Sequence, residues 1–203
     1  MTSRDGTTLI VVDLQNDFCT GPVTAAGQGD PSRRDAVATN TARAVELARR
    51  DGTEVVFVRF LGDVRYQGPS WQRRDLVLDK QPRCVEDTWG AEFHQVSPRP
   101  DELVVTKYAC FDAFLGDGLE EHLIGTGTGH LVFAGLYTDV CVDSTARTAF
   151  QKGFHVTVLT DCTSSLYLPD AQILRYMSLV YGARLMTHEQ SGSWSQSPKE
   201  QEA

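Results

Sequence analysis

The chain lacks several features that mark membrane-spanning, secreted, nucleic-acid-binding and metal-holding proteins. No stretch of its 203 residues approaches the roughly 20 consecutive apolar residues that cross a bilayer. The opening MTSRDGTTLIVVDLQND has no secretory-leader design, because its short apolar run ends at once in Asp13. The chain is therefore expected to stay in the cytoplasm and off the membrane, where thiols remain reduced. Positive charge is also short. Nineteen Lys and Arg stand against 27 Asp and Glu, a formal net charge of −8. A phosphate-backbone binder needs a basic face, so nucleic acid is not an expected partner. The five cysteines, Cys19, Cys84, Cys110, Cys141 and Cys162, form no C-x-x-C pair, which removes zinc-ribbon and thioredoxin-type chemistry. His94, His122, His130, His155 and His188 are scattered, whereas zinc takes clustered ligands. No metal and no cofactor are expected.

What is present is an alternation of apolar runs with amphipathic stretches. Thr8–Val12 (TLIVV), Glu54–Phe60, Leu103–Thr106, His130–Tyr137, Val156–Leu159 and Ala183–Met186 read as buried strands, short and rich in β-branched residues. Asp35–Arg50 carries Val37, Thr41, Ala44, Val45 and Ala48 on one helical face and ends at Asp51-Gly52,. Leu119–Ile124, Cys141–Lys152 and Pro169–Tyr181 read as further helices, the second stopped by Gly153 and the third opened by Pro. The order predicts an α/β fold of three Rossmann-like layers, a six-stranded, mostly parallel sheet with helices on both faces. One domain over residues 1–190 accommodates it. Residues 61–100 break the rhythm, and a segment this long is expected to be a lid or an interface arm. After residue 190 the sequence is polar and expected to be a disordered tail over 191–203.

Three residues with reactive side chains fall at predicted strand ends, where ligands bind in open α/β sheets. Asp13 follows the first strand, Lys107 the third and Cys141 the fourth. Taken singly, each has an ordinary structural explanation: a turn cap, a solvated charge, a small buried hydrophobe. Together they fit one chemistry. A thiol needs a base to take its proton, and a nearby ammonium steadies both the carboxylate and the developing thiolate. A helix N-terminus beneath Cys141 is expected to lower its pKa further.

DLQNDF at Asp13–Phe18, TKYACFDAF at Thr106–Phe114 and GLYTDVCVDSTARTAFQKGFHVTVLTDCTSS at Gly135–Ser165 resemble the isochorismatase-like cysteine hydrolases. That superfamily includes nicotinamidases and the amidohydrolases of N-carbamoylsarcosine, ureidoacrylate and biuret. The resemblance runs from about Thr8 to Thr187. It implies a catalytic triad of Asp13 as base, Lys107 and Cys141 as nucleophile. It implies a cis peptide at Leu136–Tyr137, with the Tyr137 and Cys141 amides as an oxyanion hole. It also implies a small-molecule substrate and a homo-oligomer, dimer or tetramer.

Departures narrow the expectation. Nicotinamidases bind metal through an Asp-x-His motif after the second strand, and here that region is RFLGDVRYQ, without histidine. Isochorismatases that hydrolyse a vinyl ether lack the nucleophilic cysteine, and this chain keeps Cys141. DTWGAEF at Asp87–Phe93 resembles the ureidoacrylate and carbamoyl-hydrolase side. Asp112 stands where many relatives have Ser, at a pocket rim or subunit contact. Phe18, Trp71, Phe111 and Tyr137 are the expected aromatic walls, suited to a planar amide or ureido group. Arg59, or else Arg65, Arg73 or Arg74, is the expected anchor for a substrate carboxylate. The expected activity is cysteine-dependent cleavage of a C–N bond in a small amide, carbamoyl or ureido compound. Vinyl ether hydrolysis remains open, as does a non-catalytic binding or redox-sensing role in which Cys110 or Cys162 resolves an oxidised Cys141.

Overall fold

The computed structural model describes residues 5–20 and 31–194. Six strands, β1 (Gly6–Val12), β2 (Glu54–Leu61), β3 (Val104–Tyr108), β4 (Thr128–Leu136), β5 (His155–Ser164) and β6 (Arg184–Met186), form one sheet in the order β3-β2-β1-β4-β5-β6. Every neighbouring pair is parallel. The helices are α1 (Asn16–Cys19), α2 (Pro31–Asp51), α3 (Pro69–Val77), α4 (Leu119–Gly125), α5 (Asp143–Gln151), α6 (Asp170–Tyr181) and α7 (Ser191–Trp194). Among the described residues, no helix is long and apolar enough to cross a membrane.

Strand alternation divides the core into two layers. Ile10, Val12, Val58 and Phe133 face Leu123 of α4, Ala146 and Ala149 of α5 and Met177 of α6. Leu9, Val11, Phe57 and Val132 face Val37, Ala44, Val45 and Ala48 of α2 on the other side. The middle strand β4 is buried along its whole length, which is why its sequence is apolar without alternation. Each buried aliphatic side chain contributes about 1.5–3 kcal/mol relative to exposure.

The three-layer architecture matches the expectation, but several boundaries move. β3 runs on to Tyr108, so Lys107 lies within the strand, not at its close. The helix expected from Cys141 begins with a π turn over Thr138–Val142, and α5 proper starts at Asp143. Residues 61–100 contain α3, which the pattern did not disclose. Its apolar residues form no inward stripe, and Leu76 and Val77 are exposed. The tail is also corrected. Ser191–Trp194 is helical, and Trp194 is fully buried in the α2 layer, where its indole N–H donates to the His188 carbonyl at 3.1 Å. Residues 195–203 lie outside the described residues.

Candidate active site

The strand order reverses at β1: β2 and β3 lie to one side of it, β4 to β6 to the other. In open α/β sheets a ligand crevice forms at such a switch point. Asp13 leaves β1 there with φ +49°, its N–H donating to the Val58 carbonyl at 3.0 Å. Gly135 of β4 lies alongside with φ +112°. A Cβ on Gly135 would sit 1.9 Å from the Val12 carbonyl oxygen, so only glycine lets β4 pass this close to the turn that presents Asp13.

Asp13, Lys107 and Cys141 converge at this crevice. Asp13 and Lys107 are fully buried, and Cys141 is buried in the π turn. The Lys107 ammonium donates to Asp13 Oδ2 at 2.6 Å, to Cys141 Sγ at 3.3 Å and to the Cys110 carbonyl at 3.2 Å. It also lies 4.9 Å from the Phe60 ring centroid. Asp13 Oδ1 is enclosed without a hydrogen-bond partner, and the Cys141 thiol lies against the same carboxyl.

Burial governs the electrostatics. It pushes the Asp13 carboxyl above its ordinary pKa, against the pull of Lys107. It pushes the Cys141 thiol well above the usual thiol range, with Lys107 opposing and Asp13 assisting. Burial also works against the Lys107 charge, but Asp13 and Cys141 outweigh it and the ammonium is held above its ordinary value. The expectation of a thiol acidified by a helix N-terminus is thus corrected. Cys141 sits in a buried π turn before the helix, where burial raises the thiol.

Above Cys141 opens a cavity of about 160 Å³. Phe18, Phe60, Trp71, Phe111, Tyr137 and Val140 supply its apolar wall, and Arg74, Lys80, Arg83 and Tyr167 stand among its polar groups. Four expected wall residues, Phe18, Trp71, Phe111 and Tyr137, are therefore brought together. Arg59 is not, and its role as anchor is corrected. Arg59 pairs with Thr106 in the sheet register while Phe60 pairs with Lys107, so side-chain alternation turns Phe60 toward the site and Arg59 away. Arg59 donates instead to Thr106 Oγ1 at 3.0 Å. Arg65 pairs with Glu86, and Arg73 is exposed and outside the wall. The Leu136–Tyr137 peptide is cis, as the resemblance implied.

The motifs around the site act as braces. The Gln15 side-chain amide donates to the carbonyls of Phe60 at 3.0 Å and Ala91 at 2.9 Å, while its oxygen accepts from the Phe60 N–H at 2.8 Å. Asn16 donates to the Trp89 carbonyl at 2.8 Å. DTWGAEF thus packs on DLQNDF. A Cβ on Gly90 would meet the Asp17 carboxylate at 2.5 Å, so that side chain would have to shift to admit one. Asp17 in turn accepts from the Cys84 N–H at 2.6 Å. Asp139, two residues before the nucleophile, accepts three backbone N–H groups, from Leu166 and Tyr167 at 2.7 Å and Leu168 at 2.9 Å. Asp112 accepts from the Phe114 N–H at 2.9 Å and Thr148 Oγ1 at 2.6 Å, tying the loop after β3 to α5. Asp139, Lys80, Arg83 and Tyr167 escaped the sequence reading. Only Asp139 lay within a quoted motif, which gave no sign of its three backbone bonds.

Nicotinamidase-type metal chemistry does not fit these residues. Among the described residues, the cavity wall carries no histidine and one carboxylate, Asp75, which already holds Arg74 at 2.5 Å. Among the described residues, one trio with mixed metal-ligand atoms does form. Asp161, Cys162 and His188 place theirs within 4.8 Å of one another, an association the sequence did not show. The trio is already joined internally, with His188 Nδ1 at 2.6 Å from Asp161 Oδ2. Cys162 belongs to the core cluster packed on α2 and Cys141 to the other core cluster.

Comparison with known proteins accords with this architecture. The N-carbamoylsarcosine amidase from Thermoplasma acidophilum shares the fold, with a TM-score of 0.76 over 91% of this chain and 97% of that one at 23% identity. The pyrazinamidase of Pyrococcus horikoshii, solved in complex with zinc, has a TM-score of 0.73 over 89% and 98% at 25% identity. The ureidoacrylate amidohydrolase RutB of Variovorax paradoxus (strain S110) is 32% identical over 174 residues, 78% of this chain and 68% of that protein. RutB of Methylorubrum extorquens (strain DSM 6343 / CIP 106787 / DM4) is 31% identical over 196 residues, 88% and 78%. The isochorismatase domain matches residues 7–190, nearly the whole described fold with the buried Asp13, Lys107 and Cys141 at its switch point, and the chain belongs to the isochorismatase family.

Proposed function

We propose that this chain is a cysteine amidohydrolase cleaving a C–N bond of a small carbamoyl or ureido compound that carries a carboxylate. The observation that carries the proposal is the fully buried Asp13 carboxyl with the Cys141 thiol against it at the floor of an aromatic cavity. A buried carboxylate against a thiol is a destination for its proton. Because burial raises the thiol pKa, the thiolate forms only as Asp13 accepts that proton, and Lys107 compensates the charge. The thiolate adds to the carbonyl carbon, with the Tyr137 and Cys141 amides holding the oxyanion. Collapse breaks the C–N bond as Asp13 protonates the departing nitrogen. Water, deprotonated by Asp13, then attacks the thioester-type carbon, collapse breaks the C–S bond, and Asp13 returns the proton to the leaving Cys141 thiolate. A cavity of about 160 Å³ suits a small molecule, and the ureidoacrylate relatives favour the ureido class over nicotinamide.

Residues 1–190 then act as one hydrolase domain, with residues 61–100 as the lid that supplies Trp71, Arg74, Lys80 and Arg83 to the wall. Exposed Leu76, Val77, Leu179 and Val180 favour self-association as a dimer or tetramer. The test is ammonia release across ureidoacrylate, N-carbamoyl amino acids, biuret, nicotinamide and simple amides. The expected result is preference for carboxylate-bearing ureides, abolished by Cys141→Ala with the fold intact. Preference for nicotinamide, or full turnover by Cys141→Ala, refutes it.

A further inference from the structure

The polar part of the cavity wall is not uniform. Among the described residues it presents three cations, Arg74, Lys80 and Arg83, against one carboxylate, Asp75. Arg74 is already neutralised. Its Nε and Nη2 reach Asp75 Oδ1 at 2.8 and 2.5 Å, and its guanidinium lies 3.9 Å from the Trp71 ring centroid. It is part of the aromatic wall.

Lys80 differs. Among the described residues Lys80 forms no ion pair. Its ammonium donates to the Tyr167 hydroxyl at 2.8 Å and sits 5.3 Å from that ring's centroid. Tyr167 is itself fixed, since its N–H is one of the three that Asp139 accepts. The Lys80 contact therefore spans from the lid to a loop tied directly to the nucleophile turn. Arg83 is held by donation to the Asp17 carbonyl at 3.0 Å, and its neighbour Cys84 donates its N–H to the Asp17 carboxylate. Both cations thus stand at set positions in the cavity that Cys141 floors.

We propose that Lys80 and Arg83 form the subsite for the substrate's carboxylate, with Lys80 exchanging its Tyr167 hydroxyl for the carboxylate on binding. The freed hydroxyl can then donate to the same anion. A molecule whose carbonyl carbon meets Cys141 Sγ extends its far end toward this rim, so the pair selects acids over their neutral counterparts and fixes the orientation of the C–N bond. The inference rests on the carbamoyl or ureido acid function proposed above and names the residues that enforce it.

The experiment compares kcat/KM for an N-carbamoyl amino acid and for its methyl ester, read by ammonia release. In the wild-type protein the acid is preferred. In Lys80→Met the acid-over-ester ratio falls roughly 10- to 100-fold, the worth of one charge-assisted hydrogen bond, chiefly through KM. Lys80→Arg retains most of the ratio, and Lys80→Glu depresses it further. Arg83→Met acts in the same direction, and if that variant fails to fold the Lys80 series decides. A wild-type preference for the acid that persists within about twofold in Lys80→Met overturns the subsite alone, leaving the enzyme's function standing. A wild-type protein that cleaves carbamoyl compounds without preferring the acid overturns both the subsite and the carboxylate part of the function.

Discussion

Replacing Lys107 by Met tests the electrostatic core of the site. The ammonium and Asp13 carboxylate are 2.6 Å apart and fully buried. At an effective dielectric of about 20, two unit charges at that separation attract by about 6 kcal/mol. Desolvation consumes much of this, but removing one partner leaves the other buried and uncompensated, which costs about 3–5 kcal/mol. Lys107→Met should therefore lose about that much stability in urea denaturation at pH 7. The variant has a means of partial recovery. Burial already raises the Asp13 pKa, and Lys107 is what opposes the rise. Without the ammonium, Asp13 goes higher still and binds its proton more tightly folded than unfolded. The sign follows: stability is greatest below the unfolded value of about 3.9, falls as pH rises through the folded pKa, and levels off above it. Asp13→Asn in the Lys107→Met background removes the charge and should restore most of the loss. Turnover should fall by several orders of magnitude in Lys107→Met, since a protonated Asp13 cannot accept the thiol proton. A loss under about 1 kcal/mol at pH 7, with no added slope between pH 4 and 7, would falsify the assignment of a charged buried pair.

Three further outcomes rest on the distances and burial at the site. Alkylation of Cys141 by iodoacetamide, mapped by mass spectrometry, should keep accelerating above pH 9, because burial holds the thiol pKa above its ordinary value; a plateau below pH 8 contradicts this. Gly90→Ala should cost about 1–3 kcal/mol in urea denaturation, because its Cβ meets the Asp17 carboxylate at 2.5 Å; wild-type stability would show that Asp17 yields freely. Asp139→Ala should lose about 1–3 kcal/mol and raise KM more than it lowers kcat, since three N–H groups lose their acceptor while Cys141 stays in place.

The layered fold was legible because β1, β2, β4 and β5 are buried on both faces, and double burial writes itself into sequence as unbroken apolar runs. Their ends were less legible. A strand's last residues are set by its neighbour's register, as when β3 continues to Tyr108 opposite Leu61. α3 was invisible for a different reason: a helix that lies over a cavity mouth packs little of its surface, so Leu76 and Val77 point to solvent and no apolar period develops. Trp194 shows the converse limit. One buried aromatic in a polar tail holds a segment that composition alone assigns to disorder.

The site divides along the same line. Asp13, Lys107 and Cys141 stood at or near strand ends, where topology limits the possible neighbours, and chemistry restricted which residue types make sense together. The wall came from residues whose placement depends on the path of a long segment. Arg59 shows what sequence proximity misses. It is adjacent to Phe60, a wall residue, yet strand alternation sends it to Thr106 on the other face. Lys80 and Arg83 are distant in sequence from all three reactive residues, and contacts with Tyr167 and Asp17 hold them at the cavity. Those two holding contacts depend on Asp139 beside the nucleophile and on the turn following the base. The groups that we assign to substrate selection are therefore fixed to the same two turns that carry Cys141 and Asp13. A shift in either turn alters catalysis and selectivity together.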